Sequence, residues 1–219
     1  VATKEGALLR LDLGSSALGD QLADVLETLP LSGTVTGLAQ SQDGSQIAIA
    51  LSKTQADGTV QAWASVRPLA DLSQEQILPL DKSYSYLAVS NDGKRLYGYT
   101  SASEVNATTG LNETVRRINL FLTDAPKVDG SGLPQASATQ RVEANNYRMA
   151  YYDQTLYAAD YNGNLNLFAA DLGSKVSISY PHDASLASYV TGYGSYNGTD
   201  TSSNRGRVYS LAIREQAGK

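Results

Sequence analysis

Apolar and polar residues alternate over short stretches along most of the chain, and Gly-containing turns separate those stretches. A period of two sends successive side chains to opposite faces of an extended strand, so the pattern predicts β-structure. It is clearest in two matched passages. Gly37-Leu-Ala-Gln-Ser-Gln-Asp-Gly-Ser-Gln-Ile-Ala-Ile-Ala-Leu51 and Tyr86-Leu-Ala-Val-Ser-Asn-Asp-Gly-Lys-Arg-Leu-Tyr-Gly-Tyr-Thr100 both read as strand, Asp-Gly turn, strand. Asp-Gly between alternating apolar residues is a strong hairpin signal, because Gly accepts the positive φ that such turns require. Asp43 and Asp92 lie about 49 residues apart, a spacing expected of propeller blades.

A third copy uses variant turns. Residues Tyr147 to Tyr152 reach Asp153-Gln154, Thr155 to Asp160 returns, and Asn162-Gly163 turns the chain into Asn164 to Ala170. Each copy continues outwards. Thr59 to Val66 and Gln76 to Leu80 extend the first, Arg116 to Leu122 and Thr139 to Glu143 the second, and Lys175 to Tyr180 the third. Four short strands per unit fit a blade. Residues Ala7 to Leu13 and Asp24 to Leu29 read as the last two strands of a further blade, and Ser188 to Gly194 with Arg207 to Ile213 as another without its outer strand. The expected architecture is an all-β propeller of four-stranded antiparallel blades, four to five in number. Residues 1–219 form one domain, or a fragment of a larger ring. Ser101 to Thr114, Asp124 to Ala138 and Asn197 to Gly206 read as loops, and Ser15 to Leu26 as a turn or short helix.

Composition narrows the function. Seventeen basic residues are scattered among 22 acidic ones, for a net charge of −5, which argues against a nucleic-acid partner. No apolar run approaches the ~20 residues needed to span a bilayer as a helix. Cysteine is absent, which removes disulfides, Cys-based zinc sites and Cys nucleophiles. Few Lys, a single Met and abundant Ser, Thr, Asn, Gly and Tyr point to an exported protein: extracellular, on the cell surface, or periplasmic.

The turn passages resemble bacterial propeller repeats. Ser90-Asn-Asp-Gly-Lys-Arg-Leu-Tyr97 is similar to the signature of YVTN and lactonase-like propellers. Leu156-Tyr-Ala-Ala-Asp-Tyr-Asn-Gly-Asn-Leu-Asn-Leu-Phe168 is similar to quinoprotein-like repeats, found in outer-membrane assembly scaffolds and in pilus-tip propellers of the PilY kind. Together these motifs touch about a quarter of the chain. Gln42 and Asn91 stand where the family carries Pro, and the tryptophans of true quinoprotein dehydrogenase repeats are missing, so no cofactor is expected.

Candidate chemistry is sparse. His182 is the only histidine, so any Ser-His-Asp triad would have to use it; a turn between Pro181 and Asp183 explains it more simply. Asp160, Asn162, Asn164 and Asn166 place oxygen side chains at alternate positions, as calcium loops do, but hairpin alternation produces the same pattern. No metal site is therefore expected. Gly192-Tyr-Gly-Ser-Tyr-Asn-Gly198 combines close backbone approach with rigid amphipathic rings, and Tyr193, Tyr196 and Asn197 are the expected binding residues. Asn106, Asn112 and Asn197 head glycosylation-type sequons. The expected function is a non-enzymatic binding or scaffold module for a protein or cell-surface partner, as in adhesion, with flanking domains or self-assembly open. A lactonase-like or glycoside hydrolase propeller and a structural subunit of a surface filament or layer are the alternatives.

Overall fold

Where the alternation is strongest, the chain pairs into sheets. The computed structural model describes residues 3, 6–12, 24–143, 148–160 and 164–179. Every regular element among them is a strand. The first two, β1 (Ala7–Asp12) and β2 (Asp24–Pro30), form an antiparallel pair. Three four-stranded antiparallel sheets follow. The first blade runs β3 (Thr34–Gln40), β4 (Gln46–Thr54), β5 (Val60–Pro68) and β6 (Gln76–Leu80) from inside to outside. In the second, β7 (Tyr86–Val89), β8 (Arg95–Val105) and β9 (Asn112–Leu122) are followed in the chain by a small excursion, β10 (Lys127–Val128) with β11 (Pro134–Gln135). β12 (Ala138–Val142) then returns to pair with β9 as the outer strand. The third blade is β13 (Arg148–Tyr152), β14 (Thr155–Ala159), β15 (Asn164–Ala169) and β16 (Lys175–Ser179).

The innermost strand β7 packs beside β3 on one side and β13 on the other. The sheets therefore fan out from a common axis and face one another, which is propeller geometry. Each seam between sheets is an apolar layer. Ala48, Ala50, Ala62, Ala64 and Val66 of the first blade meet Leu87, Val89, Leu96 and Phe121 of the second. The small side chains on one wall let the larger ones on the other approach closely. Tyr97, Ile118 and Leu120 meet Tyr151, Leu156 and Phe168 across the next seam, and Tyr97 stacks on Tyr151 at 5.5 Å. Leu8 of β1 packs on Ile47, Ile49 and Leu51, so the two-stranded pair covers the other face of the first blade.

The two Asp-Gly turns are built alike. Ser41 Oγ donates to Asp43 and accepts the Gln46 N–H at 2.9 Å; Ser90 Oγ donates to Asp92 and accepts the Arg95 N–H at 2.9 Å. Gly44 and Gly93 adopt φ of 72° and 69°. The turns also hold each other: Ser45 Oγ donates to the Asn91 carbonyl at 2.8 Å, and the Asp43 N–H reaches Asn91 Oδ1 at 3.4 Å. The variant turn of the third blade carries its positive φ on Asp153 and Gln154, at 43° and 58°, as a tight two-residue hairpin demands.

Several expected loops differ. Ser101 to Val105 and Asn112 to Thr114 are strand, not loop, with Ser101 opposite Arg116 and Val105 opposite Asn112. Ser, Thr and Val pair readily along an exposed ladder, so the hairpin runs on beyond the blade as an arm turning at 106–111. Asp124 to Ala138 contains β10 and β11 rather than a plain loop, and Asp24 to Leu26 belong to β2 rather than to a helix.

Candidate functional site

The seam between the first two blades closes at the turn end and opens at the other. β4 and β5 join there through 55–59, and β8 and β9 through the arm. Between them lies an open cleft of about 970 Å³, at the upper end of the ~300–1,000 Å³ range of ligand sites. The first blade supplies one wall from Gln55, Val60, Gln61, Leu80, Asp81 and Lys82. The second supplies Arg117 and Asn119 of β9, Thr139 of β12, and the β10–β11 flap with Asp129, Leu133, Pro134 and Gln135.

The inner end of the cleft is a hydrogen-bonded chain rooted in the core. Tyr84 is 1% exposed and its ring meets Phe121 edge-on at 5.5 Å. It lies so close over β8 that a Cβ at Gly98 would sit 2.4 Å from its Cδ1. The Tyr84 hydroxyl donates to Asp81 Oδ1 at 2.8 Å and accepts from Asn119 Nδ2 at 2.5 Å. Asn119 Oδ1 accepts from Thr139 Oγ1 at 2.9 Å. Burial pushes the Tyr84 pKa well above that of an ordinary phenol. The Asn119 hydrogen bond works against this and the Asp81 charge adds to it. The hydroxyl therefore keeps its proton and stays a donor to Asp81.

Three of the four charged side chains lining the cleft, Asp81, Lys82 and Arg117, are ion-paired. Lys82 lies 3.5 Å from Asp81. Arg117 grips Glu104 of the arm with both terminal nitrogens, Nη2 to Oε2 at 2.7 Å. That bond holds the Glu104 carboxyl below the usual range and lifts Arg117. Further along the arm Arg141 meets Glu113 at 3.3 Å. Asp129 accepts the N–H groups of Ser131 and Leu133 at 2.8 and 2.9 Å, which shapes the flap turn. Large aliphatic side chains stand exposed at this end: Val60 at 61%, Val105 at 67%, Leu111 at 70% and Leu133 at 62%.

The expected binding residues Tyr193, Tyr196 and Asn197 lie outside the described residues, as do His182 and Asn162. Of the alternating oxygen set, Asp160 and Asn166 are buried together: Asn166 donates to Asp160 at 3.3 Å and to the Ala158 carbonyl at 3.4 Å, and accepts from Ser177 at 2.7 Å. Asn106 and Asn112 flank the arm turn, where Asn106 Oδ1 accepts the Thr108 and Thr109 N–H groups. Among the described residues no three His, Cys, Asp or Glu side chains gather as a metal group, and no helix is long and apolar enough to cross a membrane. The inner strands β3, β7 and β13 carry one charged residue, Arg148, which lies over the Tyr86 ring at 5.5 Å from its centroid.

Sequence reasoning missed the cleft because its residues come from four separate stretches. The one local signal was the run Asp124 to Ala138, too long and too rich in Pro and Gly for a simple blade connection.

No family model and no curated protein matches the chain. Similar solved structures include U3-55K, with a TM-score of 0.41 and 13% identity over 80% of this chain and 43% of that one. The tricorn protease gives a TM-score of 0.38 and 12% identity over 72% and 19%. BamB from Moraxella catarrhalis gives 0.32 and 14% identity over 81% and 67%. The chain thus spans less than half of U3-55K and about a fifth of the tricorn protease.

Proposed function

We propose that this chain is a non-enzymatic binding and scaffold module of an exported protein, and that its arm end meets a protein partner. The observation that carries this reading is the set of exposed aliphatic side chains on hairpins that leave the blades: Val60, Val105, Leu111 and Leu133. Single exposed apolar residues are ordinary, but a group at one end of the blades, with Val60 and Leu133 lining the cleft itself, supports a contact surface there. A propeller holds such hairpins on a rigid frame. Composition supports an extracellular, cell-surface or periplasmic setting. The likeness of the Asp-Gly passages to YVTN-type repeats supports it too. Tyr193, Tyr196 and Asn197 are further contact residues in this reading, on the strength of their Gly/Tyr-rich run alone.

Photo-crosslinking in the source cells tests it. Crosslinkers at positions 60, 111 and 133 should capture one defined protein. Positions 45 and 94, at the turn end, should not. Equal capture at both ends, or capture of polysaccharide alone, would refute the reading.

A further inference from the structure

We infer that the cleft between the first two blades binds an uncharged, extended polypeptide segment bearing branched aliphatic side chains; this rests on the protein-binding role proposed above. Three features of the cleft converge on that occupant.

The first is charge. Asp81 is paired with Lys82 and takes the Tyr84 hydroxyl. Arg117 is held by Glu104, and Asp129 accepts two flap N–H groups. A charged ligand would have to compete with these hydrogen bonds and ion pairs. A neutral one leaves them intact.

The second is the kind of polar group left facing the cleft. Gln55 Nε2 donates to Gln61 Oε1 at 2.9 Å. That pairing leaves a carbonyl oxygen on Gln55 and N–H donors on Gln61, one acceptor and one donor side by side. A peptide unit offers the complementary pair. Gln135 repeats the same chemistry from the flap.

The third is the apolar surface. Val60 and Leu133 stand at 61% and 62% exposure on opposite walls, with Leu80 and Pro134 also lining the space. These are aliphatic surfaces that take a Val, Ile or Leu side chain. Among the described residues no aromatic ring lines the cleft to offer the C–H face of a sugar ring a platform. The segment is not added as a further strand of the blade: Pro79 sits in the outer strand β6 and lacks the N–H a full ladder needs. Side chains, not the edge, make the grip.

The test pans a random heptapeptide phage library on the intact chain and reads a set of neutral oligosaccharides in parallel. Enriched peptides should carry at least two Val, Ile or Leu and no charged residue. Their affinity should fall at least tenfold with Leu133→Asp and severalfold with Gln61→Ala. Leu38→Asp, at an exposed apolar position on the inner strand and outside the cleft, should leave it unchanged. Leu133 is exposed on the flap, so its substitution leaves the blades folded. Enrichment of charged peptides, or no enrichment at all, overturns the inference. Peptide binding that ignores both cleft variants overturns the cleft as the site but leaves a protein-binding role standing. Oligosaccharide binding without peptide binding sinks both.

Discussion

The seam between the first two blades has two different ends. At the Asp-Gly end the turns are short, and each is tied inside by Ser-Asp bonds. They join across the seam through Ser45 and Asn91, and Gln76 adds a bond to the Thr123 carbonyl at 2.7 Å. At the opposite end the hairpins overshoot the sheet, the charges pair within one blade, and the seam opens into the cleft. The same strands run to both ends, so pairing within blades is not what separates them. The difference lies in how far the strands run before they turn: β8 and β9 are 11 residues each, against 4 for β7. A turn set close to the sheet brings main-chain carbonyls within reach of the next blade, whereas a hairpin that runs past the sheet spends its hydrogen bonds on itself.

That contrast makes graded predictions. Tyr84→Ala should cost the most, about 3–5 kcal/mol, through the cavity it leaves and the loss of the bonds to Asp81 and Asn119. Urea unfolding measures it, and a loss below ~1 kcal/mol would show that the seam does not depend on this ring. Gly98→Ala should cost about 1–3 kcal/mol, because the new methyl meets the Tyr84 ring. Combining it with Tyr84→Ala should abolish much of that cost, a coupling a double-mutant cycle reads directly. Ser90→Ala should cost about 1–2 kcal/mol, since Ser90 is buried and its hydroxyl serves both Asp92 and the Arg95 N–H.

The turn end should also carry part of the acid sensitivity. Burial alone would raise the Asp43 and Asp92 carboxyls, but hydrogen bonds outweigh it. Ser45 and Ser41 supply them to Asp43, and Ser90 and the Lys94 N–H to Asp92, so both pKa values fall below the ordinary value of 3.8. A depressed folded pKa means the unfolded chain binds more protons. The stabilisation is therefore complete above the ordinary value and is lost as pH falls through the folded values. Thermal melts of the Asp43→Asn/Asp92→Asn variant should show a shallower decline below pH ~4. It should not be flat, because Asp57, Asp71 and Glu104 are lowered in the same direction by their own hydrogen bonds. An unchanged decline would remove the turns from the account. The smallest effect belongs to the arm: Arg141→Gln breaks an exposed pair and should cost no more than ~0.5–1 kcal/mol. A larger loss would mean the arm end is as tightly built as the turn end.

Much of the fold is legible in the chain's own alternation and turn residues. The Asp-Gly hairpins, the outward strands at Gln76 to Leu80 and Lys175 to Ser179, and the pair β1–β2 all follow from alternation and turn chemistry. The arm was not. Ser101 to Thr114 is polar enough to read as a loop, and only pairing with the opposite strand makes it a ladder. Nor could the sequence show that Arg117 would choose Glu104, since Asp81 and Asp129 line the same space.

The strands, the tight turns and the repeat are written locally in the chain, because period-two alternation and the positive φ of Gly are properties of a few adjacent residues. Where the seam closes and where it opens depends on how the blades pack. Gln61, Asp81, Arg117 and Leu133 face one cleft only after two blades have packed and a flap has folded back against the outer strand. The spacing of residues along the chain carries no record of that meeting.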